Sequence, residues 1–519
     1  KIASIQLKKV DVQAGSILDT TQYAEAGLAK ILNRLHIPTR DFVIRENLLF
    51  EEGDTVNSDL LADNERILRS LTYIEDARIY IKSHGKDEKK VDVLIVIKDV
   101  FPIGFDPVVT DLNNYRFELF DKNFAGLGTE LRYKFYYNDA KFPPCGHEAL
   151  YWMNNLHGTF IDGFLQYRYV YGETLVRVNF AKEFLTPRTR FAGGLDLGRI
   201  SETRIEIENG LKVRVPNAFN FGDIWGGRAF QVGDESSRRT NVLALRYRKD
   251  DVTSRPFVSP DSNRYYHDSD LLLGSVVFRK SEYYKSSLIR SFGTTEDIPV
   301  GWLYKFTVGL EAGEFYDRPY FGFEFVRTYV KISAGYLGYG MGIGAFYHQQ
   351  RWQQGAVKFN STYVAPLLKK HGFRFRNILN LDITLGIRQS EREYIDVDAE
   401  IRGISDFELS GKNKMVLSLE SIAFSPWELA GFRFAFYAFS DFGFLSDDRH
   451  FNRSDFYGIA GLGCRIRNES LVFNTLVLRI GYYPRVPDGY SQWKFDLSSK
   501  DPRFFTDIHT LKPHLITYE

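Results

Sequence analysis

The stretch FRFAFYAFSDFGF, residues 432 to 444, carries the fold in its rhythm. Phe432, Phe434, Phe436, Ala438, Phe442 and Phe444 fall on every second position, and Arg433, Tyr437 and Asp441 fall between them. A period of two is the signature of a β-strand whose two faces meet different surroundings. The apolar face is mostly aromatic and the other carries isolated charges at mid-strand, which a sandwich core would not accept cheaply.

The pattern repeats through most of the chain. Leu131, Tyr133, Phe135 and Tyr137 alternate with Arg132 and Lys134. Leu165, Tyr167, Tyr169 and Tyr171 alternate with Gln166 and Arg168. Trp302, Tyr304, Phe306, Val308 and Leu310 alternate with Lys305, Thr307 and Glu311, and Val326, Thr328, Val330, Ile332, Ala334 and Tyr336 with Arg327, Lys331 and Ser333. Runs of about ten residues fit tilted membrane crossings rather than the five or six of a typical soluble strand. Charges on the inner wall of a wide barrel meet water or each other. These features predict a mainly β fold, an antiparallel transmembrane barrel over 102–498. At about 25 residues per strand and connection it would have about sixteen strands.

Composition agrees. The 519 residues include 43 Phe and 31 Tyr, the material of lipid-facing girdles. Lys+Arg is 67 against 66 Asp+Glu, so no net charge favours nucleic acid. Mean hydropathy is −0.28, and no run of about eighteen apolar residues reads as a membrane helix. The sequence opens at Lys1 with no visible signal peptide, as a mature or trimmed chain would. Cys145 and Cys464 are expected to be unpaired.

Residues 30–101 read differently. A helix capped by Thr39 is predicted over 40–50, and one capped by Asn57 or Ser58 over 59–71, with Leu60, Leu61, Ile67, Leu68 and Leu71 on one face. A hairpin follows, with Ala77, Ile79 and Ile81 in one arm and Val91, Val93, Ile95 and Ile97 in the other. An upstream strand around 30–37 completes a small α+β domain. Residues 1–29, with alternation from Ile5 to Val12, are an extra strand or a lead segment.

The passage LHIPTRDFVIRENLLFEEGDTVNSDLLADNERILRSLTYIEDARIYI, residues 35–81, resembles a POTRA domain. Three further passages resemble the BamA/TamA-type outer-membrane assembly and translocation superfamily, whose barrel is of the bacterial surface antigen type. ELFDKNFAGLGTELRYKF, residues 118–135, is similar to the start of that barrel, and GIAGLGCRIRNESLVFNTLVLRIGYYPR, residues 458–485, to its penultimate strands. Ile401-Arg402-Gly403-Ile404 resembles the tip motif of the long sixth loop, with Ile404 where the family has an aromatic. The resemblance implies a loop folded into the lumen, with Arg402 paired to Glu420 and Asp441. Those carboxylates fall on the polar face, and a buried guanidinium needs them.

The resemblance also implies a seam between first and last strands. Phe117 and Leu119 are the candidates on the first strand, and Trp493, Phe495 and Leu497 on the last. It implies a Gram-negative outer-membrane location with the POTRA domain in the periplasm, and no enzyme activity or cofactor. The partners implied are client outer-membrane or secreted polypeptides, the lipid bilayer, and other outer-membrane or lipoprotein subunits. Two departures stand out: one POTRA unit where BamA and TamA carry several, and a C-terminal extension after the last strand, residues 499–519, which includes KDPRFFTDIHTLKPHLITYE. That segment would dock in the periplasm, cover the seam or enter the lumen. It favours a second reading, an accessory barrel in a larger complex.

A lipid-acting enzyme would need a paired nucleophile and base, and a solute pore an open lumen. Cys145, His147 and Glu148 lack a second ligand pair and read as a polar turn rather than a metal site. The glycines of GYLGYGMGIG, residues 335–344, sit on an alternating strand, where they bend the wall or make room for a neighbour.

Overall fold

The structure, a computed structural model, describes residues 1–10, 36–85, 87–111, 113–208, 211–260, 264–289, 291–388, 395–396, 401–402, 410–429, 431–446, 456–468, 471, 475–486, 491–498 and 511–516.

The N-terminal unit packs two helices on a three-stranded sheet. β1 (Ile2–Val10) pairs in parallel with β3 (Asp87–Asp99), which pairs antiparallel with β2 (Ile74–His84). Between β1 and β2 lie α1 (Asp41–Glu46) and α2 (Ser58–Ser70). Asn57 caps α2, its side chain accepting from the N–H groups of Asp59 and Leu60. The apolar face of α2 meets Ile95 and Ile97 of β3 in a closed core with Ile2, Ile44, Phe50 and Tyr73. Three expectations change here. The third strand comes from Ile2–Val10, inside the lead segment; of the strand expected at 30–37, residues 30–35 lie outside the described residues, and Ile37 is in no strand. α1 is shorter than expected and is not capped by Thr39. That residue is buried and its hydroxyl accepts from Asn123 of the barrel at 2.8 Å.

The barrel runs through β4 (Ile103–Asp111), β5 (Asn114–Asp121), β6 (Thr129–Asn138), β7 (Cys145–Met153), β8 (Asp162–Val170), β9 (Glu173–Lys182), β10 (Phe191–Glu208), β11 (Leu211–Val232), β12 (Arg239–Ser254) and β13 (Ser269–Ser286). It continues through β14 (Glu296–Gly313), β15 (Asp317–Lys331), β16 (Gly335–His348), β17 (Arg351–Val364), β18 (Leu368–Lys370) and β19 (Phe373–Ile387). A two-residue pair, β20 (Ile395–Asp396) with β21 (Ser410–Gly411), sits in the following loop. β22 (Asn413–Leu429), β23 (Phe432–Ser446), β24 (Phe456–Arg467), β25 (Leu476–Tyr482) and β26 (Trp493–Ser498) bring the wall round to β4. β18 and β17 both pair with β19, so among the described residues the wall is about twenty strands wide, not the sixteen expected. Connections as short as Tyr171-Gly172 and Gln349-Gln350 let each strand use less chain than estimated.

Alternation divides the wall into an apolar outside and a mixed inside. Leu165, Tyr167, Phe306 and Val308 are exposed outward, while Lys305 and Thr307 are buried in the lumen. Val326 and Thr328, expected on the apolar outer face, instead face inward, with Arg327 and Tyr329 outside. Ile332 and Ala334 lie in the turn after β15. The lumen accepts Val326 because part of its filling is apolar: Val326 packs with Leu511, from the segment after the last strand.

The N-terminal unit is seated on the mouth that carries the β5–β6, β7–β8, β11–β12 and β13–β14 turns. Arg69 of α2 donates to both oxygens of Asp297 at 2.9 and 2.8 Å, and Arg238 reaches Asp63 at 2.7 Å. Asn155 donates to the Glu46 carbonyl at 2.8 Å, and the Arg66 guanidinium lies over the Tyr283 ring. Glu65 accepts from Lys285, Arg69 and the Ile79 N–H. Burial alone would push its carboxyl up, but these partners hold it below the usual carboxylate value.

Candidate functional site

Two lumenal constellations and one closure make up the site. The first is built on β22, β23 and β24, whose registers set Ser418 opposite Asp441 and Ile459 opposite Asp441 on the other side. Glu420, Asp441 and Arg465 thus project from three neighbouring strands into the lumen. The loop between β19 and β22 brings Ile401 and Arg402 down onto them. Arg402 Nη2 is 3.1 Å from Glu420, its Nε is 3.5 Å from Asp441, and its backbone N–H donates to Asp441 at 3.2 Å. Arg465 Nη2 donates to Glu420 at 2.9 Å, and its Nη1 stands 2.7 Å from the other carboxylate oxygen.

Two guanidiniums thus face two carboxylates, so the buried charges balance, and each side chain is at most 7% exposed. The Arg402 guanidinium lies 4.6 Å from the Phe439 ring centroid and that of Arg465 4.3 Å from Tyr437, which adds cation–π attraction where water is scarce. Tyr483 donates its hydroxyl to the Arg402 carbonyl at 2.6 Å. Ile401 is fully buried against Gly443, where a Cβ would stand 2.1 Å from its Cδ1. Such a cluster is an attachment. It fixes a loop to three strands, and losing one partner would strand a buried charge.

The structure therefore brings Ile401, Arg402, Glu420 and Asp441 together; Gly403 and Ile404 lie outside the described residues. Arg465 and Tyr483 were not singled out in the sequence, although both lie in the 458–485 passage. Arg465 was findable: it stands three positions after outward-facing Leu462, on the face that Asp441 shares.

The second element is the closure. β26 is six residues long and adjoins β4. β26 and β4 are hydrogen-bonded neighbours, and the wall closes there through this short strand. Trp493, Phe495 and Leu497 face outward on β26, with Ile103 and Phe105 outward on β4. Phe117 and Leu119 lie on β5, one strand in from the closure, which corrects their placement on the first strand. Pro107 lies within β4, opposite Phe117 of β5. At the mouth, Phe101 packs on Leu471 and forms a single parallel bridge with it.

The third element is residues 511–516, which lie in the lumen against another stretch of the wall, β11 to β17. Of the placements open to the 499–519 segment, these six residues take the lumen; 499–510 and 517–519 lie outside the described residues. Gly342 and Gly344 of the glycine-rich strand face Ile516. Cys145 and Cys464 are free. His147 meets the Tyr133 hydroxyl on the outer face while Glu148 pairs with Lys134 in the lumen, so strand alternation sends these neighbours apart.

No family model matches the chain, and no curated protein matches it. Among solved structures it is similar to BamA from Haemophilus ducreyi lacking POTRA domains 1–3, at 11% identity and TM-score 0.38, over 96% of this chain and 82% of that one. It is similar to CdiB from Acinetobacter baumannii at 12% identity and TM-score 0.43, over 95% and 73%. CdiB from Escherichia coli gives 9% identity and TM-score 0.47, over 95% and 75%. The structural neighbours of this chain are BamA and CdiB barrels.

Proposed function

We propose that this chain is an outer-membrane barrel of a Gram-negative bacterium that assembles or exports other polypeptides. It works without a cofactor and without covalent chemistry. The N-terminal unit acts as a periplasmic POTRA domain that receives clients by strand addition, and the seam or the lumen passes them on. The observation that carries this reading is the closure between β26 and β4, which is made by a strand of only six residues. A strand so short has few hydrogen bonds to break, and the edges freed when it parts are templates for an incoming strand. The Arg402 cluster supports the reading by stiffening β22 to β24, which confines any opening to the seam. In the N-terminal sheet, β1 and β2 are the edges, and β2 carries exposed Tyr80 and Ile81, an apolar edge suited to a client strand.

A second reading, an accessory barrel in a larger complex with other outer-membrane or lipoprotein subunits, is favoured by residues 511–516. A lumen filled from within suits a wall that stays shut.

Controlled depletion with quantitative proteomics of the outer membrane separates the two. Loss of other barrels or surface polypeptides is the expected result, and an unchanged membrane would overturn assembly in favour of the accessory role. Photo-crosslinking residues at Phe105 and Phe495 should trap clients, whereas one at Phe306 on the far wall should not.

A further inference from the structure

Residues 511–516, Leu-Lys-Pro-His-Leu-Ile, cross the lumen without forming any strand pairing. They are held in the manner of a bound peptide. Three wall side chains address the backbone: Arg246 donates to the Pro513 carbonyl at 3.0 Å, Lys305 to the Lys512 carbonyl at 3.0 Å, and Tyr320 Oη accepts the Ile516 N–H at 2.7 Å. Side chains are read separately. Leu511 is fully buried among Phe184, Trp225, Val242, Val277, Leu303 and Val326. Leu515 packs on Leu273, Tyr320 and Phe346, and Ile516 on Ala356 above Gly342 and Gly344. Between the apolar seats, Lys512 reaches Asp223 at 2.8 Å, itself paired with Arg246. His514 lies 3.2 Å from Glu324 and 2.6 Å from Lys305.

Backbone contacts that tolerate sequence, combined with alternating apolar and acidic subsites, are how proteins bind extended peptides. A segment held without a ladder can leave without breaking the wall. We propose that the β11–β17 wall is a lumenal binding site for an extended polypeptide segment of another chain, one with a basic residue flanked by aliphatic ones, and that residues 511–516 are its tethered occupant. Because residues 511–516 belong to the same chain as the wall, they compete with a free peptide intramolecularly and shield the site until displaced. The site goes beyond the assembly reading and does not rest on it: depletion can fail to change the membrane while this binding persists, and the reverse also holds.

The test uses the full chain in lipid nanodiscs and a fluorescein-labelled LKPHLI peptide amide. In one chain the internal segment is released by Leu511→Asp with Ile516→Asp; the other is unaltered. The released chain should bind the peptide at least about tenfold more tightly than the unaltered chain, which its own segment blocks. A peptide carrying Lys512→Glu should lose on the order of tenfold or more, because a charge-assisted hydrogen bond becomes a repulsion. Equal binding to both chains, no binding to the folded released chain, or equal binding of both peptides overturns the proposal. If heat-modifiable migration shows the double variant unfolded, the full chain with Lys512→Glu alone, which disturbs only the pair with Asp223, decides by the same criteria.

Discussion

The lumen holds two occupants on different stretches of the wall, and they are held in different ways. The tip of the β19–β22 loop enters with two described residues, and one guanidinium carries most of the attachment, set between Glu420 and Asp441 under Tyr483. Residues 511–516 spread their attachment over seven strands, with apolar seats, backbone hydrogen bonds and one partly exposed Lys512. A point attachment through buried charge is all or none, since half of it costs more than none. A distributed one yields stepwise, because each contact is small and independent. The first suits a permanent fixture and the second an exchangeable one.

The largest effect should come from Arg402→Ala, which removes the Arg402 guanidinium from between buried Glu420 and Asp441. The expected loss is about 3–5 kcal/mol of barrel stability in urea unfolding. If Lys512→Ala costs as much, the contrast between the two attachments collapses.

Glycine substitutions give an intermediate and symmetrical test. Gly443→Ala forces Ile401 away, since the new Cβ would stand 2.1 Å from its Cδ1. Gly344→Ala would stand 2.2 Å from Tyr320 Oη and 3.0 Å from the Ile516 Cβ. Each should cost about 1–3 kcal/mol as overpacking. Protease cleavage should report the β19–β22 loop released by the first, and residues 511–516 by the second. Gly342→Ala, whose Cβ would meet Ile516 at an ordinary 3.5 Å, should stay within about 0.5 kcal/mol of the parent. Cross-release, with either substitution freeing both segments, would show that the two occupants are one coupled plug.

The smallest effect concerns the N-terminal unit, which neither occupant touches among the contacts described above, and which therefore serves as a control. Glu65 has its carboxyl held below 4.5 in the folded state, so its contribution to docking is present above that value and is lost as pH falls through the lower folded value. Asp76, pushed up by burial, works in the opposite sense: its ionisation costs stability at neutral pH, and protonation relieves that cost as pH falls through its raised value. Protease sensitivity of the unit, followed from pH 7 to 3, should therefore change little at first and rise only below about pH 4.5. Glu65→Gln should remove the acid-side rise. An unaltered rise in that variant would assign it elsewhere.

What could be read from the sequence follows the physics of each part. Alternation is a local property, so the outward faces of β6, β8 and β14 were legible residue by residue. The Arg402, Glu420 and Asp441 set was legible because a buried cation demands nearby carboxylates and a family motif pointed to the cation. The strand number was misjudged because it depends on turn length, and two-residue turns such as Tyr171-Gly172 leave no composition signal. The inward face of Val326 was missed because its apolar neighbour, Leu511, lies 185 positions away along the chain. The seat of residues 511–516 depends on Asp223, Arg246, Lys305 and Glu324 converging from four strands, which no single window reveals.

The pairing of Lys512 with Asp223 spans 289 positions, and that of Ile516 with Tyr320 spans 196. Contacts of such separation form late, because the intervening chain must already be ordered before its closure entropy is recovered. Residues 511–516 can seat only on a wall that β11 to β17 have completed. Their first arrival therefore marks the completion of that wall, and the segment works as a clock: its burial dates a molecule as finished.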